Sequence, residues 1–231
     1  MTATNVFASE RHACIVIGTD AASYDDKGTV LAFRSKVHAF PELGIAIVGR
    51  GNAFGIDTAS RELAVRYGGF DEMISHVSGE LPRIVERFDL NRPFELILCG
   101  FSNARNRPEI FWIRTPGPDS SGQGLQPFVA FPQMPFLLAP WPNDELITAS
   151  GYVEPSPNDS PKRIERNFRL LLEIQRRVLA DDGVPRVGGW AEITRLTRET
   201  ITSQIVHQWD DHLGEQMHPA PILWSAFNRK L

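Results

Sequence analysis

Three positions could carry chemistry because each closes an apolar run. Asp20 ends the run 13–20, Lys36 sits late in 29–37, and a small Gly-rich turn, Gly49-Arg50-Gly51-Asn52, follows 44–49. β-Branched and aliphatic runs bounded by Gly, Asp and Pro read as strands. All three positions therefore lie where strands end, which is where a sheet offers a site. A carboxylate beside an ammonium keeps that cation charged and placed, and a cation lowers the pKa of a neighbouring amine. A Gly turn lets a substrate oxygen approach backbone N–H groups closely. The same residues also fit plain strand-end and strand-to-helix turn positions.

Other chemistries find less support. The turn has neither the Lys of a phosphate-binding loop nor a full GxGxxG, so no nucleotide site is expected. His12, His38, His76, His207, His212 and His218 are scattered without a metal-ligand spacing, so neither a metal nor another cofactor is expected. Cys14 and Cys99 lie inside apolar runs and read as buried small hydrophobes. They form no CxxC pair or disulfide framework, which suits a reducing cytoplasm. A net charge of −4 leaves no basic surplus for phosphates, which argues against nucleic acid. Lys162, Arg163, Arg166 and Arg169 recur at helical spacing, as on a solvated helix face. No signal-peptide pattern is present and no run approaches the ~20 apolar residues of a membrane span. The expectation is a cytoplasmic protein with no membrane partner.

The elements that must position these residues follow from periodicity. At 231 residues the chain suits one domain with a sizeable core, or at most two small ones, and a single domain, 1–231, is expected. Residues 3–8 alternate weakly and, paired with 13–20, bring the N-terminus back toward Asp20. A helix is predicted over 53–67, with Ile56, Ala59, Leu63 and Ala64 on one face. A second starts at Asp71, a good N-cap, with a kink or break predicted at Pro82. Strands resume at 94–101 and 109–114. Residues 115–161 are rich in Pro and Gly and read as an insertion or interface loop. The best-defined helix spans 161–180, capped by Ser160 with Pro161 at N1. Its apolar stripe is broken only by Gln175. A hairpin over 189–208 follows. Strands, helices, strands, a helix and strands in that order predict an α+β fold with antiparallel sheets.

Residues 13–52 resemble the core of proteasome β subunits and of the bacterial ATP-dependent peptidase related to them, which are N-terminal-nucleophile hydrolases. That family carries an N-terminal Thr, an Asp ending the second strand, a Lys in the following strand and a Gly-Gly turn after the next. Here Asp20 and Lys36 are sixteen positions apart, and Thr4 lies sixteen before Asp20, as in the family. Residues 188–201, GGWAEITRLTRETI, look like the Gly-Gly-strand-turn-strand that closes the family's sheet. The resemblance spans about residues 4–115 and 187–208.

It implies a four-layer αββα sandwich, two antiparallel sheets between helical layers. It also implies an N-terminal-threonine hydrolase of peptide or other small amide bonds. Thr2 or Thr4 would be nucleophile, with its own α-amine as base. That amine titrates at about 7.7–8.0, and Lys36 would lower it while Asp20 holds Lys36. Gly49 would offer the oxyanion its turn N–H, and Ser150, before Gly151, would be a further polar group beside the nucleophile. Thr4 has the family spacing but needs residues 1–3 removed. Thr2 needs only the initiator Met removed and a hairpin two residues longer, which keeps the same strand face.

The family also carries a Ser before the late Gly-Gly and an Asp three positions before that Ser. Here Val187 and Val184 stand there, with Asp181 and Asp182 out of register. The alternative implied is a catalytically inactive assembly or binding protein on the same fold. Family members stack into rings. Phe128, Phe131, Phe136, Leu137 and Trp141 in the Pro-rich stretch, with Trp224 and Phe227, also suit an interaction surface. A homo-oligomer is expected; no ATPase partner is legible.

Overall fold

A computed structural model of the protein describes residues 3–118, 124–133, 135–180, 182–222, 224 and 227. Thr2 and Asp181 lie outside the described residues. The N-terminal hairpin forms as expected, from β1 (Thr4–Ser9) and β2 (Cys14–Asp20). Its alternation has a clear logic: Val6 and Ala8 join the core between the sheets, whereas Phe7 packs under a helix.

The run 29–37 is not one strand. It divides into β4 (Val30–Phe33), which pairs with the short β3 (Ala22–Tyr24), and β5 (Val37–Phe40) in another sheet. Arg34, Ser35 and Lys36 make the crossing. Arg34 donates its N–H to Ala21 O at 3.0 Å, and the next two residues spend their side chains on polar partners. The expected turn at 49–52 is likewise absorbed, because β6 (Ile45–Gly51) runs through it. Asn52 then caps α1 (Ala53–Arg66), accepting the Gly55 N–H at 2.8 Å.

The second helix, α2 (Phe70–Arg87), continues through Pro82 without a break. Asp71 falls inside its first turn and is no cap; its carboxylate accepts the N–H groups of Asn103 and Ala104 at 2.8 and 3.0 Å. That contact ties α2 to the turn between β7 (Phe94–Ser102) and β8 (Arg107–Arg114).

The stretch 115–161 holds β9 (Phe131–Pro132), β10 (Phe136–Ala139) and α3 (Asp144–Ser150). β9 pairs with β8 and β10 with β1, so the segment covers edges of the chain's own sheets, a common protection. α4 (Pro161–Gln175) stops five residues earlier than periodicity predicts. Its polar break is buried: Gln175 and Asn5 exchange two hydrogen bonds of 2.8 Å, and Gln175 also donates to Pro140 O. The closing hairpin is β11 (Trp190–Leu196) and β12 (Ile201–Gln208).

The strands form two five-stranded antiparallel sheets, ordered β10-β1-β2-β11-β12 and β5-β6-β7-β8-β9, with the β3-β4 ribbon beside them. α4 lies on the first sheet, while α1 and α2 lie on the second. Val6, Ile15, Ile17, Val48 and Ile97 fill the space between the sheets. The architecture is a four-layer αββα sandwich, α+β in class. Trp224 and Phe227 pack against Leu170, Leu171 and Ile174 of α4, whereas Trp141 stays 47% exposed.

Candidate active site

Asp20, at the end of β2, is fully buried and hydrogen-bonded on both oxygens. Its Oδ1 accepts Lys36 Nζ at 2.7 Å and the Ala3 N–H at 3.0 Å, and its Oδ2 accepts the Gly188 N–H at 3.1 Å. The crossing from β4 to β5 is what delivers Lys36 there. A Lys that continued a regular strand would follow the ribbon, not turn inward. Burial holds the Lys36 ammonium below the usual lysine range; Asp20 acts against that shift, and the positive Arg34 adds slightly to it.

Lys36 also lines a cavity of about 760 Å³, together with Gly49, His38, Asp57 and the ribbon residue Tyr24. Gly49 leaves no room for a side chain. A Cβ there would lie 2.6 Å from Glu95 O and 2.8 Å from the Ile56 side chain. On the same wall His38 Nε2 stands 3.2 Å from Asp57 Oδ1, and Asp57 Oδ2 binds Arg34 at 2.5 Å. Burial pushes His38 below its ordinary value, with Asp57 opposing.

Asp20, Lys36 and Gly49 are thus brought to one end of the sandwich, Asp20 behind and the other two at the cavity wall. Thr4 is not presented as a chain end. It is fully buried within β1, opposite Thr19 on one side and Ala139 on the other. Among the described residues its hydroxyl has no hydrogen-bond partner. Ser150 is not brought to the site either. It ends α3, donating to Ile147 O and accepting the Tyr152 N–H, so its hydroxyl is spent on the backbone around the helix end. Among the described residues, no group of three or more His, Cys, Asp or Glu side chains is placed to hold a metal ion, and no helix is long and apolar enough to cross a membrane.

Sequence reasoning missed the support behind Asp20. Asp211 accepts the Gly189 N–H at 2.7 Å and both terminal nitrogens of Arg176, at 2.7 and 2.5 Å. The Gly188-Gly189 pair was a visible signal; its partners, at a helix end and in the C-terminal segment, were not. Val187 packs with Phe168 and Ile193, so the position offers hydrocarbon, while its carbonyl accepts Arg176 Nη1 at 2.9 Å.

No family model and no curated protein matches the sequence. Solved structures match its fold. The Anbu (Gly-1) mutant from Hyphomicrobium sp. strain MC1 superposes with a TM-score of 0.66 at 14% identity, over 91% of this chain and 90% of that one. Anbu from Yersinia bercovieri, described as an ancestral β-subunit, gives 0.61 at 11% identity over 87% of each chain. The fold is proteasome-like. At these identities the likeness extends to the proteasome-like N-terminal-nucleophile fold and not to a particular member or activity.

Proposed function

We propose that this chain is an N-terminal-threonine hydrolase of peptide or other small amide bonds, with Thr2 as its nucleophile once Met1 is removed. The observation that carries this reading is the sharing of Asp20 Oδ1 by Lys36 Nζ and the Ala3 N–H. The nitrogen of Ala3 is the peptide nitrogen acylated by Thr2. A free Thr2 amine lies within one residue of chain, at most about 3.5 Å, of that nitrogen. Cleavage before Thr4 would discard Ala3 and with it this hydrogen bond.

In this mechanism the neutral Thr2 amine takes the hydroxyl proton as Oγ1 attacks the scissile carbonyl. Lys36 enlarges the neutral fraction of that amine, and Asp20 holds Lys36 in place. A backbone N–H beside Gly49 steadies the oxyanion. Collapse forms an ester to Thr2, breaks the amide C–N bond and passes the proton to the leaving amine. Water then hydrolyses the ester.

The test is covalent labelling. Chain verified by intact mass to begin at Thr2 should gain one adduct from a peptide epoxyketone, and Thr2→Ala chain should gain none. Absence of an adduct on a verified Thr2 terminus overturns the reading.

A second reading, an assembly or binding protein without chemistry, is favoured by the hydrocarbon at Val184 and Val187. The labelling experiment separates the two. Self-association accompanies either reading, in keeping with a structural neighbour described as a β-subunit. Light scattering at micromolar protein should give a multiple of 25.9 kDa.

A further inference from the structure

We propose that Asp211 and Arg176 are positioning residues for the Asp20–Lys36 pair, acting through the peptide groups of residues 187–189. Three successive residues are tied down there, each by a different partner. Val187 O accepts Arg176 Nη1, the Gly188 N–H donates to Asp20 Oδ2, and the Gly189 N–H donates to Asp211 Oδ2. Gly188 O in turn accepts the N–H groups of Ala21 and Ala22, both at 3.0 Å, so the same peptide unit also grips the chain just after Asp20.

The Arg176–Asp211 pair is a costly device. Its side chains are 5% and 2% exposed, and two desolvated charges are offset only by good geometry and further hydrogen bonds. Both are present. The guanidinium meets the carboxylate through two nitrogens and lies 4.9 Å from the Trp209 ring centre. The pair also fills the space in which a side chain at position 188 would sit. A Cβ there would be 2.6 Å from Asp211 Oδ2 and 2.9 Å from Arg176 Nη1, besides colliding with Met217 Sδ. Where the proteasome-like pattern places polar side chains on this segment, the present chain has Val184 and Val187. It anchors the segment through its backbone instead, from a helix end and the C-terminal region.

Only the catalytic consequence rests on the hydrolase reading; the positioning itself can be measured without substrate. The sequence contains four lysines, so the full chain labelled with 13Cε-lysine gives a spectrum in which Lys36 is assigned by its loss in Lys36→Arg. In Asp211→Asn, Asp20 loses its fixed Gly188 donor, its carboxylate loosens, and the Lys36 titration midpoint should move down. Arg176→Lys keeps the charge but loses the two-pronged grip, and should move the midpoint the same way. Asp20→Asn should shift it down as well, and the Asp20→Asn/Asp211→Asn double variant should match Asp20→Asn alone. Lys36 titrating as in the wild-type chain in Arg176→Lys, or single shifts that add in the double variant, would overturn the proposal. The first outcome leaves a purely structural pair and the second a long-range charge effect. A chain that fails to label with epoxyketone but shows these shifts would sink the hydrolase reading and keep this one.

Discussion

Asp20 and Lys36, sixteen residues apart in the chain, meet at 2.7 Å with the carboxylate fully buried and the lysine side chain 10% exposed. Removing one partner of such a pair leaves an uncompensated buried charge, a change that costs about 3–5 kcal/mol. Lys36→Ala should therefore lower the thermal midpoint markedly and abolish epoxyketone labelling. Asp20→Asn should slow labelling without abolishing it, because Lys36 remains but is less well held. Unchanged labelling in both variants would separate the pair from the chemistry.

Thr2 and Thr4 are distinguished by the surroundings of Thr4. A buried hydroxyl with no partner costs about 1–3 kcal/mol, and the Thr4 hydroxyl has none among the described residues. Thr4→Val should hold or raise stability in chemical denaturation and leave labelling intact, whereas Thr2→Ala should end labelling. The reverse pattern would make Thr4 the nucleophile.

Asn5 and Gln175 join β1 to α4 across 170 positions of sequence. Gln175→Leu restores the apolar stripe yet strands the Asn5 amide, so a loss of about 1–3 kcal/mol is expected. Pairing it with Asn5→Leu should recover part of that loss. Urea denaturation of the single and double variants measures the coupling.

His38 makes stability pH-dependent. Its folded pKa is depressed by burial, against the partial opposition of Asp57, so the unfolded chain binds its proton first as pH falls. The stabilisation is fully present above about pH 6.5 and is lost as pH drops through the lower folded value. His38→Gln should flatten this acid limb. A remainder should persist, because burial also depresses His207. An unaltered slope in His38→Gln would show that His38 does not titrate in this window.

Much of the scaffold is written in local pattern. The hairpin 3–20 and the faces of α1 and α4 follow from a period of two or 3.6 residues, because burying one face of an element needs only neighbours in sequence; the closing hairpin was legible through the family resemblance of residues 188–201. The sixteen-residue interval between Asp20 and Lys36 was legible only through the resemblance to the proteasome-like family; the ribbon and the crossing that it spans were not.

Tertiary structure decided the rest. The division of 29–37 between two sheets leaves no mark on a run that is β-apt throughout, since strand preference depends on which neighbours pair with it. β9 and β10 are short segments that exist only because β8 and β1 offer them an edge. Gln175 looked like a flaw in an apolar stripe until Asn5 met it. Ser150 matched a dipeptide, yet α3 turns it toward its own backbone. Asp211, 35 positions beyond Arg176, closes a contact that no periodicity can announce. A buried polar group is tolerated only when its partner arrives, and that partner is chosen by the folded chain, not by the residues beside it in sequence.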